Sequence, residues 1–323
     1  MAQVGDRAVK GAPAPGREGQ TFAGDSWFAK YASFVKLPHT LFALPFAGVG
    51  AVLATYEHPG GLSLRAALWI VIAFTAARFT AMGFNRIVDR EHDALNPRTR
   101  LRELPSGPMT LREAWVAVIA AAVLFIFAAW QLNPLCGMLA PVALAWVCFY
   151  SWTKRFTVAA HLVLGLSLGI APAGAYLAVA GAWPAPWYGL PLLAAAVMCW
   201  VAGFDIIYAL QDEEFDRAHG LHSIPARLGT QGALRVARLL HLAAVGLFFL
   251  PWALRTFPVG WAYLGGVGVM AVLLHFAHAS LRGVDAAALD PRRIDRAFFH
   301  TNVGVSTSFF VLTLVDRLVS TVS

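Results

Sequence analysis

Residues 66–93 read AALWIVIAFTAARFTAMGFNRIVDREHD. Crossing ~30 Å of hydrocarbon takes about twenty mostly apolar residues in a helix, and Ala66–Ile87 supplies them. The far end turns polar in an ordered way. Arg78, Met82, Asn85, Asp89 and Asp93 recur at intervals of four, three, four and four. Helical residues three or four apart share a face, so an arginine, an amide and two carboxylates form one stripe. The stretch predicts a membrane helix whose end carries a site.

The rest of the chain agrees with a membrane origin. Of 323 residues, 58% are hydrophobic and 13% charged, with mean hydropathy +0.61. A soluble domain carries about a quarter charged residues. Nine stretches are long and apolar enough, or nearly so: 38–56, 66–87, 112–131, 134–150, 158–180, 187–209, 234–252, 258–280 and 298–319. The expected fold is therefore an all-α polytopic membrane protein of nine transmembrane helices. Residues 1–25, rich in Gly, Ala and Pro, are expected to be a disordered cytoplasmic tail, leaving 26–323 as one membrane domain. Ser26–Lys36, SWFAKYASFVK, suits a short helix lying in the headgroup plane of the lipid bilayer.

The net charge of +7 and pI near 9.7 do not indicate nucleic acid, because the basic residues sit in short loops between apolar runs. Arg90, Arg98, Arg100, Arg102 and Arg112 follow the second span, and Lys154 and Arg155 the fourth. Arg217 and Arg227 follow the sixth, and Arg282, Arg292, Arg293 and Arg296 the eighth, whereas the opposite loops hold little beyond Arg65 and Arg255. The positive-inside rule then places the N-terminus and the acidic stripe in the cytoplasm. Cys136, Cys148 and Cys199 lie in apolar segments without CxxC pairing, as packing residues do.

A second stripe closes the sixth span: Asp205, Tyr208, Asp212 and Asp216, stepping by three, four and four. Carboxylates spaced this way at a helix end suit Mg²⁺, which takes oxygen ligands and keeps waters and substrate phosphates in its shell. Asn85, Asp89 and Asp93 make one set and Asp212 and Asp216 the other. A single DxxxD is weak evidence, and each set alone reads equally well as solvated loop residues. Two sets on the same side, each continuing a polar stripe into the membrane, outweigh that reading.

Arg78 and Asp205 lie deeper. They are either site residues or a structural ion pair, since an ionisable group inside a span needs a partner or a function. Tyr150, Ser151, Lys154 and Arg155, in YSWTKRFT, form a third polar cluster on the same side. Two cations near four carboxylates suit a diphosphate whose charge a metal only partly cancels. Lys36 carries a weaker version of the same case. The histidines form no HExxH pattern, and His161, His241, His275, His278 and His300 are scattered, as interfacial or packing residues are.

These strings resemble a known family, the UbiA-type intramembrane aromatic prenyltransferases. NRIVDREHD is similar to their NDxxDxxxD signature and DIIYALQDEEFD to DxxYAxxDxxxD. YSWTKRFT is similar to the basic segment between them. Arg86 departs from the pattern where many members have Asp. KLPHTLFALPFAG, AMGFNRIVDREHDALNPRTR and ELPSG look most like 4-hydroxybenzoate polyprenyltransferases. They look equally like the enzymes that prenylate 1,4-dihydroxy-6-naphthoate in the futalosine route to menaquinone.

The resemblance implies a helical bundle around a central cavity in a bacterial inner membrane, with its site on the cytoplasmic side. It implies Mg²⁺-dependent transfer from a polyprenyl diphosphate to an aromatic acceptor. Mg²⁺ would sit between Asn85, Asp89, Asp93 and Asp212, Asp216, with Lys154, Arg155 and Lys36 on the diphosphate. Asp205 or Tyr208 would orient the acceptor or take its proton, and Arg78 would pair with an acceptor carboxylate or the diphosphate. A cation-coupled transporter is the competing class, but transporter sites lie near the midplane rather than at one interface.

Overall fold

The computed structural model describes residues 26–36, 40–281, 294 and 299–320. The N-terminal segment 1–25 and the arginines at 282, 292, 293 and 296 lie outside the described residues. The described chain is helical: α1 (Trp27–Phe34), α2 (Thr40–Glu57), α3 (Leu64–Leu95), α4 (Leu111–Leu132), α5 (Pro134–Thr153), α6 (Ala160–Ala180), α7 (Gly189–Ala209), α8 (Glu213–Ala218), α9 (Ile224–Ala253), α10 (Trp261–Ser280) and α11 (Thr301–Ser320). Among the described residues, eight helical segments are long and apolar enough to span a membrane. The remaining expected span, 38–56, corresponds to α2, a helix of 18 residues.

Helix starts follow local chemistry. Ser63 caps α3 by accepting from Ala66 N at 3.1 Å, and Thr110 and Glu113 form a reciprocal capping box on α4. Pro134 opens α5 behind the Asn133 cap. With 32 residues, α3 is about 48 Å long, more than a ~30 Å hydrocarbon layer needs. Its last turns therefore rise clear of the apolar layer and carry the acidic stripe with them.

Successive long helices touch, and α11 returns to α2, closing the bundle. The most buried is α7, 67% of whose apolar window is interior, against 17% for α4. In a bilayer the helices gain from close packing rather than from leaving water, and small residues allow it. Gly165 and Gly169 of α6 face the α7 carbonyls of Met198 and Ala194, where a Cβ would collide with backbone. One side of the bundle is filled by aromatics from four helices: Phe46, Trp200, Phe248 and Phe309.

The end away from the acidic stripes is tied by Asp316 of α11. Its Oδ2 accepts from Tyr56 Oη at 2.7 Å and Gly260 N at 2.7 Å, and its Oδ1 from Ala262 N at 3.0 Å and Tyr263 N at 3.2 Å. Those amides are the open N-terminal donors of α10, so α11 supplies the cap that α10 lacks.

Two helices depart from the regular course that their spacing predicts. The second stripe is not one continuous α-helix: α7 stops at Ala209, Leu210–Asp212 tightens into a 3-10 turn, and α8 resumes at Glu213. Asp205, Tyr208, Asp212 and Asp216 still face one chamber, because one tight turn rotates the face only slightly. In α9 a kink falls at Gly229, with φ 67° and ψ 173°, a left-handed backbone that favours glycine.

Candidate active site

Beside the aromatic core the helices part to leave two chambers. The polar one, about 210 Å³, is lined by all five residues of the first stripe (Arg78, Met82, Asn85, Asp89 and Asp93). The four residues of the second stripe, Asp205, Tyr208, Asp212 and Asp216, line it too. So do Tyr150, Ser151, Lys154 and Arg155 from α5 and the loop after it, and Lys36 beyond α1. Every residue singled out from sequence thus reaches one cavity.

The hydrogen bonds divide these groups. On α3, Asn85 Nδ2 donates to Asp89 Oδ2 at 2.9 Å, and Arg155 lies 3.7 Å from the other oxygen, Oδ1. Arg155 Nη2 also donates to Val88 O at 2.9 Å, which pins it beside the stripe. Lys36 has a left-handed backbone, φ 47°, an uncommon conformation for a side chain of this size. Its Nζ donates to Tyr208 Oη at 3.2 Å.

Lys154 is surrounded by acid. Burial pushes its amine towards neutrality, but the carboxylates of Asp216, Asp212, Asp205 and Asp89 outweigh that and raise its pKa above the ordinary lysine value. Its backbone carbonyl accepts from His222 N at 2.8 Å, tying the loop after α5 to the one after α8.

Four partners were not singled out from the sequence. Arg98, treated there as part of a positive-inside loop, grips Asp212: Nε donates to Oδ1 at 2.8 Å and Nη2 to Oδ2. Its Nη1 donates to Tyr208 Oη at 3.1 Å, so this hydroxyl oxygen accepts from two cations. Asn96 Nδ2 adds a third bond to Asp212, at 2.8 Å. Arg102 Nη1 holds Asp93 Oδ1 at 2.6 Å. The fourth is His161, read from sequence as scattered packing. It is buried and bonded to Asp205 Oδ2 at 2.6 Å. The signal for the arginines was their position, five and nine residues beyond Asp93, within reach of both acidic helix ends.

Three observations test whether the site suits a divalent cation. Asp93 Oδ2 and Asp216 Oδ2, one from each stripe, are buried with no hydrogen-bond partner. Orphaned carboxylate oxygens are costly unless a cation completes them. Asp93 and Asp212 also already hold guanidinium groups, which shows that the site demands positive charge. Yet among the described residues no group of three His, Cys, Asp or Glu side chains converges as a ready-made cage. That donor set fits Mg²⁺, which completes its shell with waters and substrate phosphates rather than with protein alone.

The second chamber, about 520 Å³, is apolar and continuous with the first. Arg78, Met82, Asn85, Tyr150, Leu164 and Leu168 belong to both walls. It runs along α5 from Tyr150 to Cys136 and along α6 from Leu164 to Ala178, fourteen residue steps in each, or about 21 Å of depth. A charged head in the first chamber and a long apolar tail in the second would share one molecule.

Comparison with known proteins agrees with this layout. The UbiA prenyltransferase family model matches residues 43–303. The 4-hydroxybenzoate octaprenyltransferase of Methylobacillus flagellatus is 29% identical over 254 residues, covering 78% of this chain and 81% of that protein. The apo structure of a UbiA homologue from Aeropyrum pernix K1 superposes with a TM-score of 0.75 at 35% identity, covering 86% of this chain and 98% of that one. A UbiA homologue from Archaeoglobus fulgidus bound to DMAPP and Mg²⁺ gives a TM-score of 0.63 at 22% identity, covering 88% and 99%, a likeness of fold. The family match spans well over half of the sequence, and this chain belongs to the UbiA prenyltransferase family as an integral-membrane prenyltransferase.

Proposed function

We propose that the protein transfers a polyprenyl group from a polyprenyl diphosphate to a 4-hydroxybenzoate-like aromatic acceptor in quinone biosynthesis. The observation that carries this reading is the shared wall between an acidic, cation-lined chamber and a 21 Å apolar one, about the depth that α5 and α6 allow. A transporter would need its polar site near the midplane, whereas this one lies at the helix ends. The name of the Methylobacillus flagellatus relative supports the acceptor class, and the bound DMAPP and Mg²⁺ of the Archaeoglobus fulgidus homologue support the donor and the metal.

Asn85, Asp89 and Asp93 on one side and Asp212 and Asp216 on the other hold Mg²⁺. When bound, the cation offsets the negative charge that builds on the departing diphosphate. Lys154, Arg155 and Lys36 bind the diphosphate oxygens, and the raised pKa of Lys154 keeps its charge in place. The apolar chamber holds the tail and keeps water from the allylic carbon. Arg78, in both walls, sits where head and tail meet and pairs with the acceptor carboxylate or the diphosphate. Asp205 and Tyr208 face the acceptor ring. The basic residues of the loops support a site on the cytoplasmic side of a bacterial inner membrane.

The test is turnover of radiolabelled octaprenyl diphosphate by purified protein in lipid vesicles with Mg²⁺. The acceptors 4-hydroxybenzoate and 1,4-dihydroxy-6-naphthoate are supplied separately. Prenylated 4-hydroxybenzoate, lost on adding EDTA, is the expected product. Product with the naphthoate alone would keep the chemistry and move the acceptor to the menaquinone route. No product with either, from folded protein, would overturn the proposal.

A further inference from the structure

The carboxylates of the polar chamber differ in what holds them. Asp93 and Asp212 are bonded by arginines, and Asp89 has Arg155 beside it. Asp205 takes its hydrogen bond from an imidazole instead. His161, at the second position of α6, is 0% exposed, and its Nδ1 lies 2.6 Å from Asp205 Oδ2. Its other ring nitrogen, Nε2, lies 3.4 Å from the backbone N of Ile224, at the start of α9.

That second contact fixes the tautomer. A backbone N–H only donates, so Nε2 is the acceptor and the proton of the neutral ring sits on Nδ1. His161 therefore donates to Asp205. It does not line the chamber and both of its nitrogens are engaged, so it is not itself the group that meets substrate. Asp205 does line the chamber, with its side chain 18% exposed. It lies seven residues before Asp212, about 10 Å deeper by helical rise.

We propose that His161 is the positioning residue for a proton-accepting Asp205. By occupying Oδ2 it fixes the carboxylate rotamer and leaves Oδ1 to meet the acceptor ring. The inference rests on the aromatic prenylation reading above. In the step it serves, the allylic C–O bond breaks and diphosphate leaves with its electron pair. A ring carbon of the acceptor then bonds to C1 of the prenyl group. The C–H bond at that ring carbon next gives its electron pair back to the ring and its proton to Asp205 Oδ1. The resulting carboxylic acid passes that proton to water at the polar chamber, which restores the carboxylate.

The test uses the full-length protein in lipid vesicles with octaprenyl diphosphate and Mg²⁺. It compares ordinary 4-hydroxybenzoate with the same acid deuterated at both ring positions beside the hydroxyl. His161→Leu removes the donor and is expected to lower kcat by about 10²–10⁴-fold, the usual worth of a positioned acid–base group. KM for the prenyl diphosphate stays unchanged, and a primary isotope effect absent from wild type appears as proton removal becomes limiting. Two polar variants separate positioning from folding. His161→Asn places its amide N–H near the Nδ1 position and restores most of kcat, whereas His161→Gln places it near Nε2 and does not. Equal rates for the Asn and Gln variants overturn the proposal, as does a loss in His161→Leu with no isotope effect. Wild type failing to prenylate 4-hydroxybenzoate in the same assay would instead reject the acceptor reading.

Discussion

Arg98 binds Asp212 through two guanidinium nitrogens while a third reaches the Tyr208 hydroxyl at 3.1 Å. The loop that follows the first acidic stripe is thereby fastened onto the second. A cation binding at Asp212 has to compete with this guanidinium. Arg98→Ala should therefore show a larger Mg²⁺-dependent rise in Tm than wild type. Its Tm without metal should fall, because removing one member of a buried pair costs about 3–5 kcal/mol. Thermal unfolding in detergent across a Mg²⁺ titration measures both, and equal metal-dependent rises would show that Arg98 does not compete.

The charge on Lys154 depends on its acidic neighbours, of which Asp216 contributes most. Burial opposes that charge, and with the carboxylates intact the amine stays protonated to higher pH than an ordinary lysine. Asp216→Asn removes the largest support, so the proton leaves at lower pH. Binding of a non-hydrolysable prenyl diphosphate analogue should then weaken from a lower pH on the alkaline side than in wild type. Calorimetric titration across the alkaline range measures it, and coincident alkaline limbs would contradict the assignment.

Gly174 of α6 lines the apolar chamber, and a Cβ there meets nothing within 4 Å. It lies ten residues beyond Leu164, about 15 Å into the chamber. Gly174→Phe should project into this space without disturbing the backbone. Geranyl diphosphate should still turn over normally, while octaprenyl diphosphate loses about tenfold or more in kcat/KM. An equal loss for both lengths would mean that the tail does not run past Gly174.

At the far end of the bundle, Asp316 caps α10 and bonds Tyr56. Asp316→Ala should cost about 1–3 kcal/mol, the sum expected for a lost cap and buried hydrogen bonds. The value of kcat should remain that of wild type, since nothing in this cluster lines either chamber. A large fall in kcat with unchanged Tm would refute this separation.

These expectations also show what the sequence could disclose. Spacing of three and four residues is a property of one helix, so both acidic stripes were legible before any fold was known. So was the all-helical membrane architecture, because about twenty apolar residues have few other uses. The partners of Asp212 and Asp205 were not legible in the same way. Arg98 reaches Asp212 across a separation of 114 residues and His161 reaches Asp205 across 44, so no local period marks them. Arginines near a membrane helix also read as topology signals, which masked a second use of Arg98 and Arg102. The break after Ala209 escaped as well, because a 3-10 turn keeps nearly the same face and leaves the spacing intact.

Leu139 and Val142 of α5 line the apolar chamber yet are 40% and 67% exposed. In a bilayer their exposed surface meets acyl chains, so the chamber wall is shared with the lipid phase. The prenyl substrate then arrives, and the product departs, by diffusion within the plane of the membrane. Its effective concentration is a mole fraction among lipids, not moles per litre of water. Diluting vesicles with buffer at a fixed lipid-to-substrate ratio leaves the occupancy of the chamber unchanged, whereas adding empty lipid lowers it.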